Sequence, residues 1–165
     1  MKSTYKIAAL TLASTLFTAG AHAQAVRTEK NMSLELANQI ASATVAACSA
    51  NGYNVTATVV DRAGDVRAMH RADNAGTHTL EASSMKAFTS ASAKNTTTAI
   101  MESAQKNPGA ANLVHVPGFL LLGGGVPVEV GNEVIGAVGV GGAPGGHLDE
   151  QCAMVALDKV KDQLK

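Results

Sequence analysis

Two spacings alternate along this chain. Leu36, Ile40, Ala43 and Ala47, with Leu34, Ala37 and Thr44 beside them, recur at the 3.6-residue period of an amphipathic helix. Ser33 stands where an N-cap belongs, and Glu35 falls in the first turn, where the helix dipole favours negative charge. Asn51-Gly52 supplies the C-cap. The period then drops to two. Val55, Ala57 and Val59 alternate with Thr56, Thr58 and Val60, Asp61 to Asp65 is turn material, and Val66 to Arg71 alternates again, so this region predicts a β-hairpin. Helical spacing returns over Leu80 to Ala93 and over Thr96 to Gln105, and Asn107-Pro108-Gly109 breaks it.

The C-terminal third repeats the switch. Phe119 to Leu122 predicts a short apolar strand, interrupted by Gly123-Gly124-Gly125. Val126 to Val130 and Glu133 to Val140 pair across Gly131-Asn132, a dipeptide suited to a tight hairpin. Gly141 to Gly146 is a loop, and Asp149 to Leu164 is a last helix, apolar at Cys152, Val155, Ala156, Val160 and Leu164. The order α-ββ-αα-βββ-α predicts a single α/β (α+β) domain over residues 33–165, with a largely antiparallel five-stranded sheet flanked by helices.

Ahead of the domain, Lys2 and Lys6 precede a charge-free run from Ile7 to Phe17, and Ala21-His22-Ala23 follows. That order is the layout of a secretory signal peptide cleaved after about Ala23, and the run is too short to span a bilayer. Residues 24–32 are polar and predict a flexible arm. Export would place the mature chain in the periplasm or outside the cell.

Charge and composition narrow the partners. Without the leader the chain keeps 11 basic and 13 acidic residues, which argues against a nucleic-acid partner needing a clustered positive surface. Only Tyr53, Phe88 and Phe119 remain as aromatics, too few for base-stacking platforms. Cys48 and Cys152 fall on two helices far apart in sequence. Two unrelated buried thiols are the expected state, and a bridge is the alternative that an oxidising compartment permits.

Candidate chemistry is sparse. Gly139, Gly141, Gly142, Gly145 and Gly146 crowd a strand-to-helix link, but a dinucleotide loop belongs to the first turn of a parallel βαβ unit, so they predict a backbone-lined pocket wall instead. His78 and His115 lie in loops before a helix and a strand, positions suited to ligand contact. His70 sits on a strand and is expected to face solvent. Lys86 interrupts a face of Ala82, Ser83, Ala87 and Ser90, where it either holds a carboxylate or stands exposed. Asp149 and Glu150 open the last helix, where carboxylates complement the dipole.

Three blocks in order carry a resemblance. Val59 to Asp65 with Arg71-Ala72-Asp73-Asn74-Ala75, then Ala82 to Ser90, then Gly124 to Val128 with Gly136 to Ala143 and Asp149 to Ala153, resemble the GlcG/HbpS family of haem-binding or haem-degrading-type proteins. The likeness covers about Leu34 to Lys165. It departs at Ala63, where the family's turn has glycine, at Gly141, where serine is usual, and at Met85, where an arginine often precedes the lysine. The resemblance implies a homo-oligomer, often octameric, with pockets near subunit boundaries, and haem as ligand in exported members, corrinoids being the lesser expectation. Iron ligation by His78 or His115 then follows, with Arg71 and Lys86 on the propionates and Gly124 and Gly125 letting the flat ring approach the backbone. Two rivals stand beside this reading. One is an enzyme acting on a small organic acid, or slowly degrading haem, with Lys86 as anion clamp and Asp149 and Glu150 as acid and base. The other is a partner of an envelope sensory system.

Overall fold

Thr56–Asp61 forms β1, buried along its whole length, and the rest of the sheet is arranged around it. β2 (Val66–Arg71) pairs with one edge of β1, β4 (Glu133–Gly141) with the other, and β3 (Gly125–Val130) with the far side of β4. The order is β2-β1-β4-β3, antiparallel throughout. The computed structural model describes residues 26–165, so the expected leader lies outside the described residues.

Alternation along the strands divides the sheet into two unlike faces. One is packed with valine: Val59, Val126, Val128, Val138 and Val140 meet Leu36 and Ile40 of α1 (Leu34–Ser49) and Ala153 of α4 (Gly146–Val160). The other is lined by small and hydroxylated residues and carries α2 (Thr79–Ala93). There Val60 and Ala137 touch Ala87 and Ala91, while Thr56 bonds Thr79 and Thr58 bonds Ser83, each at 2.7 Å. A Cβ on Gly139 would lie 2.1 Å from the Ser83 carbonyl oxygen and 2.4 Å from the Ala87 nitrogen. Bare backbone in β4 is therefore what lets α2 lie this close. α3 (Thr97–Lys106) follows, capped by the Thr96 hydroxyl as its sequence implies.

Two expectations are corrected. Among the described residues the sheet has four strands, not five. Phe119 to Leu122 is apolar, but its backbone groups go to helix side chains: the Leu120 N–H donates to Thr89 Oγ1, and the Leu122 carbonyl accepts from Thr97 Oγ1, each at 2.8 Å. No ladder can form from groups already taken. The arm is tied down at its end. Arg62 binds the Lys30 carbonyl and the Asn31 side chain, the Met32 N–H bonds to Ile135, and Met32 itself is buried in the core.

The second correction concerns the thiols. α1 and α4 lie side by side, which sequence spacing does not reveal, and Cys48 and Cys152 are joined as a disulfide with their Cα atoms 5.3 Å apart. The bridge closes a separation of 104 residues, and a loop of that size restrains the unfolded chain by about 4–5 kcal/mol in the chain-entropy account. The Cys48→Ala, Cys152→Ala double variant should lose about 2–5 kcal/mol of stability in urea unfolding followed by circular dichroism. An unchanged midpoint would show that the bridge adds nothing to the fold.

Candidate functional site

The small-residue face of α2 has one long side chain, Lys86, and it points inward. It is 2% exposed. Its ammonium donates to the Val140 carbonyl at 2.8 Å and to Asp149 Oδ2 at 2.9 Å. The other carboxylate oxygen, Oδ1, accepts from the Ala143 N–H at 3.0 Å. Thus α2, the end of β4, the following loop and the first turn of α4 meet at one buried ion pair. Burial pushes the Asp149 carboxyl above the usual carboxylate range, against the pull of the Lys86 charge and the Ala143 N–H.

Glycines make room for the pair. A Cβ on Gly124 would lie 2.7 Å from the Val140 oxygen, 2.8 Å from Asp149 Cβ and 3.0 Å from Lys86 Nζ. One on Gly125 would lie 2.4 Å from the Lys86 carbonyl oxygen. These two glycines therefore admit the protein's own helix and ion pair. Thr97 Oγ1 holds the same stretch by accepting from the Gly125 N–H at 2.8 Å while donating to Leu122.

Above the pair lies a cleft of about 230 Å³, walled by Gly141 to Gly146 and bordered by Ala82, Leu122 and His78. Lys86 and Asp149 form part of its lining. The first turns of α2 and α4 both border it, and neither has a side-chain cap. At α2 the Thr79 and Leu80 N–H groups already go to the Gly76 and Thr77 carbonyls, so the positive dipole end of α4 is the one better placed to favour an anionic group. His78 is exposed and folds back over Gly76, where a Cβ would come within 2.6 Å of its ring.

Of the residues singled out from sequence, His78, Lys86 and Asp149 come together here, with Gly124 and Gly125 behind the pair. Arg71 lies at the same end of the sheet but outside the lining. It is opposite Thr56, which is in turn opposite Gly141, so two strand spacings or about 10 Å separate it from the wall. Glu150 turns to Thr98 Oγ1, away from Lys86. His115 ends a 3₁₀ turn over Ala111–His115 and is not part of the lining. His70 is half-buried on β2. His147, given no role from sequence, packs over Gly145 on the cleft rim. The Val140 carbonyl and the Ala143 N–H went unseen because backbone groups leave no mark in residue identities. Among the described residues no three or more His, Cys, Asp or Glu side chains are grouped to hold a metal ion.

The pair generates a signed prediction. Lys86→Met strips Asp149 of its counter-charge and should cost about 3–5 kcal/mol at neutral pH, since it leaves a buried carboxylate unpaired. The folded carboxyl value then rises further above the unfolded value of about 3.9. A raised group holds its proton more tightly in the fold, so its contribution to stability is full below the unfolded value and lost as pH rises through the folded one. The deficit of Lys86→Met against wild type should therefore shrink toward pH 4. Adding Asp149→Leu should recover part of the loss. Urea unfolding across pH measures both, and a pH-independent deficit would contradict the account.

Sequence and fold both have counterparts among known proteins. The family model described as "Haem degrading protein HbpS-like" matches residues 32–158. Protein GlcG of Escherichia coli K12 is 36% identical over 109 residues, covering 64% of this chain and 80% of GlcG. The crystal structure of a double mutant of Streptomyces reticuli HbpS superposes with a TM-score of 0.77 at 33% identity, covering 93% of this chain and 99% of that one. A PduOC–haem complex, at 22% identity with a TM-score of 0.69 over 78% of this chain and 94% of that one, shares the fold. The chain belongs to the HbpS-like family.

Proposed function

We propose that this chain is an exported haem-binding protein acting as a homo-oligomer. The observation that carries the reading is His78 at the mouth of a glycine-walled cleft bordered by the start of α4. An imidazole nitrogen suits haem iron, bare backbone suits a flat ring, and the start of α4 suits a propionate carboxylate. When bound, haem would supply an iron centre open to ligand exchange or redox change. The chain's part is to orient the ring through His78 and hold its acidic edge. His115 is absent from the cleft lining, so His78 is the ligand this reading names.

Size supports the oligomer. Sites for drug-sized ligands run from about 300 to 1,000 Å³, and this cleft offers about 230 Å³. One protomer can grip an edge of a tetrapyrrole but not enclose it, so a second copy would complete the site. Export is supported by the leader-like N-terminus and by a disulfide, a bond characteristic of oxidising compartments. The organic-acid reading is less favoured, because the charge of Lys86 is already matched by Asp149 and Glu150 faces Thr98.

Titrating the mature protein with hemin should give a saturable Soret band, shifted and weakened in His78→Ala and unchanged in His115→Ala. Absence of saturation would overturn haem binding. A His78→Ala spectrum identical to wild type would overturn the ligand assignment.

A further inference from the structure

β2 is an end strand. β1 takes one of its edges, and the other pairs with nothing among the described residues. Register fixes what its open face shows. Met69 stands opposite Thr58 and Arg71 opposite Thr56. Both threonines point to the α2 side, where they bond Ser83 and Thr79. Ala68 points the other way, into the core beneath α1. A bulge opposite Val59 and Val60 sets Arg67 beside Val66 as the extra residue. α2 packs on β1, β3 and β4 and leaves β2 uncovered. Val66 is 51% and Met69 39% exposed.

The two arginines are unmatched. Arg27, Arg62, Lys30 and Lys86 all lie within ion-pair distance of carboxylates. Arg67 and Arg71 have no acidic partner among the described residues, and residues 1–25 contain no acid that could serve. Arg71 gives one N–H to the Ala75 carbonyl, which leaves its charge uncompensated. Two residues before the strand, Gly64 opens a shallow cleft of about 220 Å³ that it shares with Ser84, Met85, Phe88 and Gly118.

We propose that the open edge and face of β2 dock an extended acidic segment of a partner protein as an added strand, with an apolar side chain seated in the cleft at Met85 and Phe88. Strand addition uses the free backbone edge for affinity and side-chain pockets for selectivity. Charge decides between occupants. In two-fold pairing of β2 with its own copy about Met69, Arg67 would face the partner's Arg71, and like charges directly opposite destabilise a pair. A strand bearing carboxylates at those positions gains two ion pairs instead. In that register the unmatched arginines act against self-association, and they favour an acidic guest.

A fluorescein-labelled hexapeptide of alternating Glu and Val with one terminal Phe tests this, using mature protein without haem. Fluorescence anisotropy should show saturable binding that weakens with salt, and the same peptide with Lys for Glu should not bind. Arg67→Glu with Arg71→Glu, its fold verified by circular dichroism, should weaken binding by roughly tenfold or more. Hydrogen exchange should slow at residues 66–71 when peptide is added. No saturable binding, equal binding by the double variant, or unprotected β2 amides would each overturn the proposal. So would protection of β2 that grows with protein concentration without peptide, which would make this edge a contact between copies.

Discussion

One buried ion pair sets the terms for much of this molecule. Lys86 and Asp149 come from helices on opposite faces of the sheet, and both are almost wholly removed from water. A charge in such a place must be met by an opposite charge and by hydrogen bonds, or the fold bears the desolvation cost alone. Meeting it takes the Val140 carbonyl at the end of β4 and the Ala143 N–H just beyond it. It also requires that Gly124 have no side chain. The glycine-rich loop is therefore first of all a consequence of packing, and the cleft above it is what that packing leaves open.

The division of the sheet into a valine face and a hydroxyl face follows the same logic. Branched side chains fill the space under α1 and α4. On the other face there is little space to fill, because α2 lies directly on the backbone of β4 at Gly139. Threonine and serine suit that contact, being small and able to bond one another across it. This close approach is also what brings the Lys86 side chain within reach of the far end of β4.

Much of this was legible in the sequence, and the parts that were not share a cause. Helices and hairpins were readable because residue type follows the face it packs on, at helical spacing from Leu36 to Ala47 and in alternation from Thr56 to Val60. Phe119 to Leu122 misled because apolar character records burial and not which partner takes the backbone groups, here Thr89 and Thr97. Lys86 was conspicuous on its small-residue face, but its partner sits 63 positions away. Asp149 had a sufficient local explanation at a helix start, which hid the distant one. The disulfide joins helices whose adjacency is a property of the whole fold. Of the site, the pattern offered single residues; the pairings belong to tertiary structure.

The position of that disulfide bears on how the chain is completed. Cys48 lies in the first helix and Cys152 in the last, and all four strands fall between them. In a chain delivered from its N-terminus, Cys48 arrives early and waits through nearly the whole domain for its mate. The covalent seal can close only once Cys152, at the far end of the domain, has been delivered. A chain cut short before Cys152 keeps a lone thiol, and so carries a chemical label of being unfinished.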